Sequence, residues 1–246
     1  MPNQPIKAVF FDLGDTLLNF GKVDVKSVFK QASHDSYDYL LSTGQKPPKF
    51  KLYALINYIA IQYKSILAAL TGNDFDSLEL LKKVGSRYHL TPEQWDQLSE
   101  KWYIPLKKYC STEPDLPQTL QTLKDMNLKL AIISNTFVTA STLNNHLKEV
   151  NIFEYFDEIV YSYQLPWRKP NPRIFKHMAE QFNLKTENIM YVGDRIDKDI
   201  IPSIKLNITP VLKKAYTNHG KTPPQGTINI EKISQLPEII KNINNN

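Results

Sequence analysis

Cysteine is almost absent from this 246-residue chain, with Cys110 the single example. That excludes an internal disulfide framework and fits a reducing compartment, so a cytoplasmic location is expected. Cys110 reads as a small, partly buried side chain rather than a nucleophile. Long apolar runs are missing too. No window of about 18 uninterrupted apolar residues occurs, so no transmembrane helix and no membrane partner are expected. The opening MPNQPIKAVFFD lacks the roughly 7–15 apolar residues of a secretory signal, because its short apolar run ends at an acid. Charge of one sign is scarce: the net value is +5. This suits a small anionic substrate, and no dense basic run interleaved with stacking aromatics points to nucleic acid. His34, His89, His146, His177 and His219 show no ligand spacing such as HxxxH, so a structural zinc site is not expected. Nothing in the sequence reports an oligomeric state.

What is present is an ordinary globular balance, 41% apolar and 22% charged, in a chain long enough for a sizeable core. The run AVFF (8–11) reads as a strand covered on both faces. From 20 to 110 the periodicity is helical almost throughout, with helices expected at 24–42, 50–71, about 76–86 and about 91–108. Thr91 is the expected N-cap of the last, ahead of Pro92. Beyond 110 helices and strands alternate. Strands are expected at 129–134, 158–162, 189–192, 208–212 and 227–230, and helices at 117–126, 139–149, 172–183, 197–205 and up to 243. The tail INNN is expected to fray. Such alternation implies a parallel sheet with helices on both faces. The fold class is therefore α/β: a Rossmann-like three-layer core of residues 1–19 and 111–246, into which a helical block, 20–110, is inserted.

In such sheets ligands bind at the carboxyl ends of the strands. Asp12 ends the first strand, Ser134 and Asn135 end KLAIIS, and Asp194 follows IMYVG, with Asp197 and Asp199 just after. Lys169 lies beyond EIVYS, in WRKPNPRIF. These groups suit phosphoryl transfer. A carboxylate can attack phosphorus. Mg²⁺ held by one or two carboxylates can screen the negative charges. A hydroxyl, an ammonium and backbone N–H groups can hold the remaining phosphate oxygens.

The ordered set FDLGDTLL, IISN, KPNPRIF and VGDRIDKD resembles the haloacid dehalogenase-like (HAD) hydrolase superfamily, and the helical insertion between the first and second motifs resembles its type-one cap. The resemblance implies Asp12 as nucleophile and Mg²⁺ ligand, with the backbone carbonyl of Gly14 also on the metal. It implies Ser134, with backbone N–H groups near Asn135, on the phosphate, and Lys169 between nucleophile and phosphate. Asp194 would bind the metal and Asp199 support it, ahead of Asp197.

One position departs from that pattern. Most phosphatases of the superfamily carry an aspartate two residues after the nucleophile, acting as general acid and base. Here Gly14 occupies that place and Asp15 comes one later. Three readings follow: Asp15 reaches round with the help of Gly14, water or a cap residue takes the role, or the protein is a weak or silent enzyme. Arg168, Trp167 and Arg195 are further candidates for contact with substrate or simply for surface packing. Tyr37, Tyr39, Tyr53, Tyr58, Tyr63, Lys64, Lys82, Lys83 and Tyr88 crowd the cap. Most should be core or surface, and the remainder could line the pocket. The expected activity is Mg²⁺-dependent hydrolysis of a small phosphorylated metabolite. Its rivals are dehalogenation of a 2-haloacid, which needs no metal, and a non-enzymatic binding protein that keeps the fold.

Overall fold

The computed structural model describes residues 4–245. Six strands are found among them: β1 (Ala8–Phe11), β2 (Lys129–Ser134), β3 (Glu158–Tyr161), β4 (Ile189–Gly193), β5 (Thr209–Lys213) and β6 (Ile228–Ile230). All pair in parallel, in the order β3-β2-β1-β4-β5-β6. β1 is completely buried, as expected of a strand with helices on both sides.

Alternation along the strands sorts the core into two layers. Val9, Phe11, Leu130, Ile132 and Val192 face one side, where Leu120, Leu147 and Leu236 of the helices α5 (Leu116–Asp125), α6 (Ala140–Glu149) and α9 (Leu236–Asn244) pack. Ala8, Phe10, Ala131, Ile133 and Tyr191 face the other, against Ile174, Phe175 and Met178 of α7 (Pro172–Gln181). This is the expected α/β sandwich. The tail does not fray where expected. α9 continues to Asn244, whose carboxamide accepts from the Ile6 N–H at 2.7 Å and donates to the Ile6 carbonyl. Asn246 lies outside the described residues.

Between β1 and α5 run four helices: α1 (Val25–Ser42), α2 (Phe50–Thr71), α3 (Ser77–Val84) and α4 (Pro92–Lys107). Each observed start but that of α2 has a side-chain cap. Asp24 and Asp76 accept from the N–H groups two and three residues on, and Thr91 forms a capping box with Gln94, which satisfies otherwise orphaned donors. Leu40, Tyr53, Leu81, Trp95 and Leu98 make a separate small core. Entry to and exit from this helical block lie side by side, because Asn19 and Ser111 exchange backbone hydrogen bonds of 2.8 and 2.9 Å.

Two local outcomes differ from expectation. By length and composition alone α2 is long and apolar enough to cross a membrane, since its few polar residues are scattered rather than clustered. The expected helix 197–205 is two pieces: a π-helical turn, Ile196–Ile200, and α8, Ile201–Lys205. Pro202 lacks the N–H that would close an α turn on Lys198, and the wider turn is of the kind found at functional sites.

Candidate active site

β1 lies between β2 and β4, and the carboxyl ends of these three strands bring distant residues together. Asp12 continues β1, its N–H bonded to the Val192 carbonyl at 2.8 Å. Ser134 is the last residue of β2 and is buried. Asp194 follows Gly193 at the end of β4, and the π-helical turn returns Asp199 to the same point. Asp12, Asp194 and Asp199 are all buried and can each place one oxygen within 4.8 Å of the others; they form the one such group of three metal-binding residue types among the described residues.

Lys169 sits against this group at 2% exposure. Its ammonium donates to Asp12 Oδ1 at 2.7 Å and to the Tyr191 hydroxyl at 2.8 Å, and it pairs with Asp199 Oδ1 at 2.8 Å. Burial alone would lower the Lys169 pKa, but Asp12 and Asp199 together outweigh it and hold it well above the ordinary lysine value. Three carboxylates against one ammonium leave an excess of negative charge in a buried site. Burial first, and Asp12 beside it second, push Asp194 upward; burial also raises Asp199, though Lys169 opposes it. Asp199 Oδ1 is buried with the Lys169 ammonium at 2.8 Å as its one named partner, and a carboxylate oxygen has a second lone pair with which to accept. A hard divalent cation with oxygen ligands fits this donor set and its charge. These residues can hold a divalent metal.

The supporting contacts are specific. Thr217 donates to Asp194 Oδ2, and Asn218 donates to the Asp194 carbonyl at 2.9 Å. Asp199 Oδ2 accepts from the Arg195 N–H at 2.9 Å. A side chain at Gly193 would place its Cβ 2.5 Å from Asp199 Cγ, so only glycine lets Asp199 lie against the strand. Asn135 grips the Lys169 backbone in both directions, accepting from its N–H and donating to its carbonyl, each at 2.8 Å. Its side chain therefore positions the lysine. Nearby, the Thr136 N–H is already bonded to Ser162 Oγ at 2.9 Å.

Asp15 does not join the acid cluster. It adopts a left-handed φ of 54°, and its Oδ1 accepts from the N–H groups of Phe20 and Gly21, both at 2.9 Å. It lines the pocket but fastens the strand-to-cap connection. Gly14 has no positive φ, and nothing lies within 4 Å of a Cβ built there. The unusual backbone is at Asp15, not at the glycine.

Above the acids is a cavity of about 430 Å³. Its cap side is apolar and comes from Phe20, Tyr103 and Leu106, not from the tyrosines and lysines counted as candidates in the cap. Tyr103 is anchored by a 2.8 Å hydrogen bond between its hydroxyl and His146 Nδ1. Arg168, Arg195 and Lys198 add positive charge to the rim. Arg168 also donates to Asp74 Oδ1 of the α2–α3 loop at 2.6 Å, and Phe75 of that loop stacks on Phe137 at 5.0 Å. The cap is thus clasped to the core beside the pocket. Trp167 instead packs under Arg173 at the surface. Asp197 is exposed and paired with Arg195 and Lys198, which leaves Asp199 as the buried acid. Burial raises the Cys110 thiol pKa to about 11, in keeping with a structural side chain.

Residues 9–213 match the haloacid dehalogenase-like hydrolase family. The chain belongs to that family. A glyceraldehyde 3-phosphate phosphatase of Methanocaldococcus jannaschii is 28% identical over 97% of this chain and 98% of its own. Among solved structures, a HAD phosphatase from Thermococcus onnurineus superposes with a TM-score of 0.62 at 19% identity, covering 96% of this chain and 98% of its own. A 2-haloacid dehalogenase from Pseudomonas syringae pv. tomato gives 0.60 at 20% identity, covering 96% and 99%. Two HAD-fold neighbours with different named chemistries are nearly equidistant, so the fold does not choose between them and the site must.

Proposed function

We propose that this HAD-like hydrolase is a cytoplasmic, Mg²⁺-dependent phosphatase that cleaves a small phosphomonoester through an aspartyl phosphate on Asp12. The reading divides the chain into a catalytic core, 1–19 and 111–246, and a cap, 20–110. The observation that carries it is the convergence of Asp12, Asp194 and Asp199 on one buried point beside Lys169. Dehalogenation by attack on carbon needs no cation, and for it three buried carboxylates would be a net electrostatic burden. The name of the archaeal relative supports the same choice and makes glyceraldehyde 3-phosphate the first substrate to test.

In this reading Asp12 attacks phosphorus, the bond to the leaving oxygen breaks, and the phosphoryl group passes to Asp12. Water then attacks phosphorus, releasing inorganic phosphate and restoring the carboxylate. Asp12, the Gly14 carbonyl and Asp194, supported by Asp199, would hold Mg²⁺, which when bound would supply charge neutralisation at the phosphoryl group. Lys169 holds Asp12 in orientation and pairs with a phosphate oxygen. Ser134 donates to another, aided by backbone N–H groups near Asn135. The apolar cap wall excludes bulk water while the covalent step occurs. Asp15, engaged with the connection to the cap, would supply the leaving-group proton only by giving up those bonds.

The test is a screen of small phosphomonoesters with Mg²⁺ and with chelator, beside Asp12→Asn. Turnover that needs Mg²⁺ and disappears in Asp12→Asn is expected. Activity retained in Asp12→Asn would overturn the nucleophile. Metal-independent release of halide from 2-haloacids would favour the dehalogenase, and silence in both screens the binding protein.

A further inference from the structure

Of all helices in this protein, α2 shows water the face one would expect inside. Its inner side carries Tyr53, Asn57 and Ala68, with Tyr53 bonded to Ser36 of α1 at 3.0 Å. Its outer side carries Leu52, Ile56, Ile59, Tyr63, Ile66 and Leu70, which are between 38% and 78% exposed. These six follow one another at spacings of 4, 3, 4, 3 and 4 residues. That is the 3.5-residue period of a helix-pairing seam, where an ordinary surface helix buries its stripe at 3.6.

We infer that α2 is the contact helix of a homodimer, packing antiparallel against α2 of a second copy about a two-fold axis near Ile61. Three observations select a second copy. The seam reads nearly the same in both directions: Leu52 would face Leu70, Ile56 would face Ile66, and Ile59 would face Tyr63, so every layer is apolar and two of the three pair identical side chains. No charged residue lies on the seam, so repeating the face sets no like charges against each other. The polar exception on that side, Gln62, is exposed and flanks the axis. A carboxamide both donates and accepts, and so complements its own copy. The available area fits as well. The exposed parts of these side chains and Leu55 amount to on the order of 700 Å², close to the roughly 800 Å² per partner of a stable interface and above the usual largest patch of a monomer. α2 contributes nothing to the catalytic cavity, so the inference does not depend on the proposed chemistry.

Light scattering on the eluting wild-type protein should give the mass of a dimer. Ile59→Glu combined with Ile66→Glu should raise the dissociation constant by about 100-fold or more and elute as a folded monomer with an unchanged circular dichroism spectrum. Gln62→Cys in a Cys110→Ser background, oxidised with copper phenanthroline, should yield a disulfide-linked dimer, because antiparallel pairing sets the two 62 positions across the axis. That arm holds even where the glutamate variant fails to fold. A wild-type monomer at micromolar concentration overturns the inference, and so does a dimer that neither cross-links at 62 nor responds to the glutamates. Binding of a monomeric wild type to phosphatidylcholine–phosphatidylglycerol vesicles would overturn it in favour of a lipid surface.

Discussion

The end of the sheet and the outside of the cap break the usual rule of burial in opposite ways. At the carboxyl ends of β1, β2 and β4, charge is inside: Lys169, Asp12, Asp194 and Asp199 are all buried. On α2, apolar side chains are outside. Neither arrangement helps this chain fold alone. Buried charge is tolerated only when paired or metal-bound, and every acid at the sheet end has a named partner. The exposed stripe of α2 has none within the chain. In the proposed readings the first region is completed by a cation and substrate, and the second by another helix.

The comparison is sharpened most at Gly14. No atom lies within 4 Å of a Cβ built at Gly14, so the first atom of the side chain in Gly14→Asp meets no obstacle. Turnover of alkyl phosphates should rise by up to about 10²–10⁴-fold, and aryl phosphates with good leaving groups should gain less. Initial rates on matched esters decide it. An unchanged or lower rate would show that Asp15 or another group already supplies the proton.

The sheet end is broken more gently at Gly193. Gly193→Ala drives a methyl group into Asp199, and calorimetric titration should show Mg²⁺ affinity reduced by about 10–100-fold. Full affinity would remove Asp199 from the metal site.

The smallest effect lies between these regions, where α4 of the cap meets α6 of the core. Burial, then Lys107, lowers the pKa of His146 below its ordinary 6.5, with Glu149 opposing. The folded state therefore favours the neutral ring, whose Nδ1 shares a hydrogen bond with the Tyr103 hydroxyl. As pH falls through about 6.5 the unfolded chain takes up the proton first, so this contribution is present above that pH and is lost below it. Thermal midpoints should fall between about pH 7 and pH 5, and His146→Gln, which can still accept from Tyr103, should flatten the fall. An equal fall in both proteins would place the acid sensitivity elsewhere.

Much of the sheet end was legible in the sequence. Asp12, Ser134 and Asp194 stand where strands stop, Lys169 lies in the loop beyond β3, and periodicity placed α1 and α2 within a residue of their observed bounds. The rest depended on direction, which a pattern does not carry. Tyr191 is one more apolar residue in IMYVG until the fold turns its hydroxyl onto Lys169. Asn135 was expected to bring backbone N–H groups to the phosphate, and that its side chain would hold the Lys169 backbone was not visible. Asp15 reaching round was one of three readings of the shifted acid, and its left-handed backbone turns its carboxylate to the N–H groups of Phe20 and Gly21. The apolar stripe of α2 was visible as hydrophobicity, while which side of the helix met protein was not. The π-helical turn that delivers Asp199 left only Pro202 as a trace.

The central claim is that Asp12 carries the phosphoryl group. The direct measurement is acid quenching of the enzyme during turnover with Mg²⁺, followed by mass spectrometry of the peptide that contains Asp12. One phosphoryl group on Asp12, absent without Mg²⁺ and absent in Asp12→Asn, is the expected result. Sustained phosphate release with that peptide never modified, or with the group on another residue, would contradict the account.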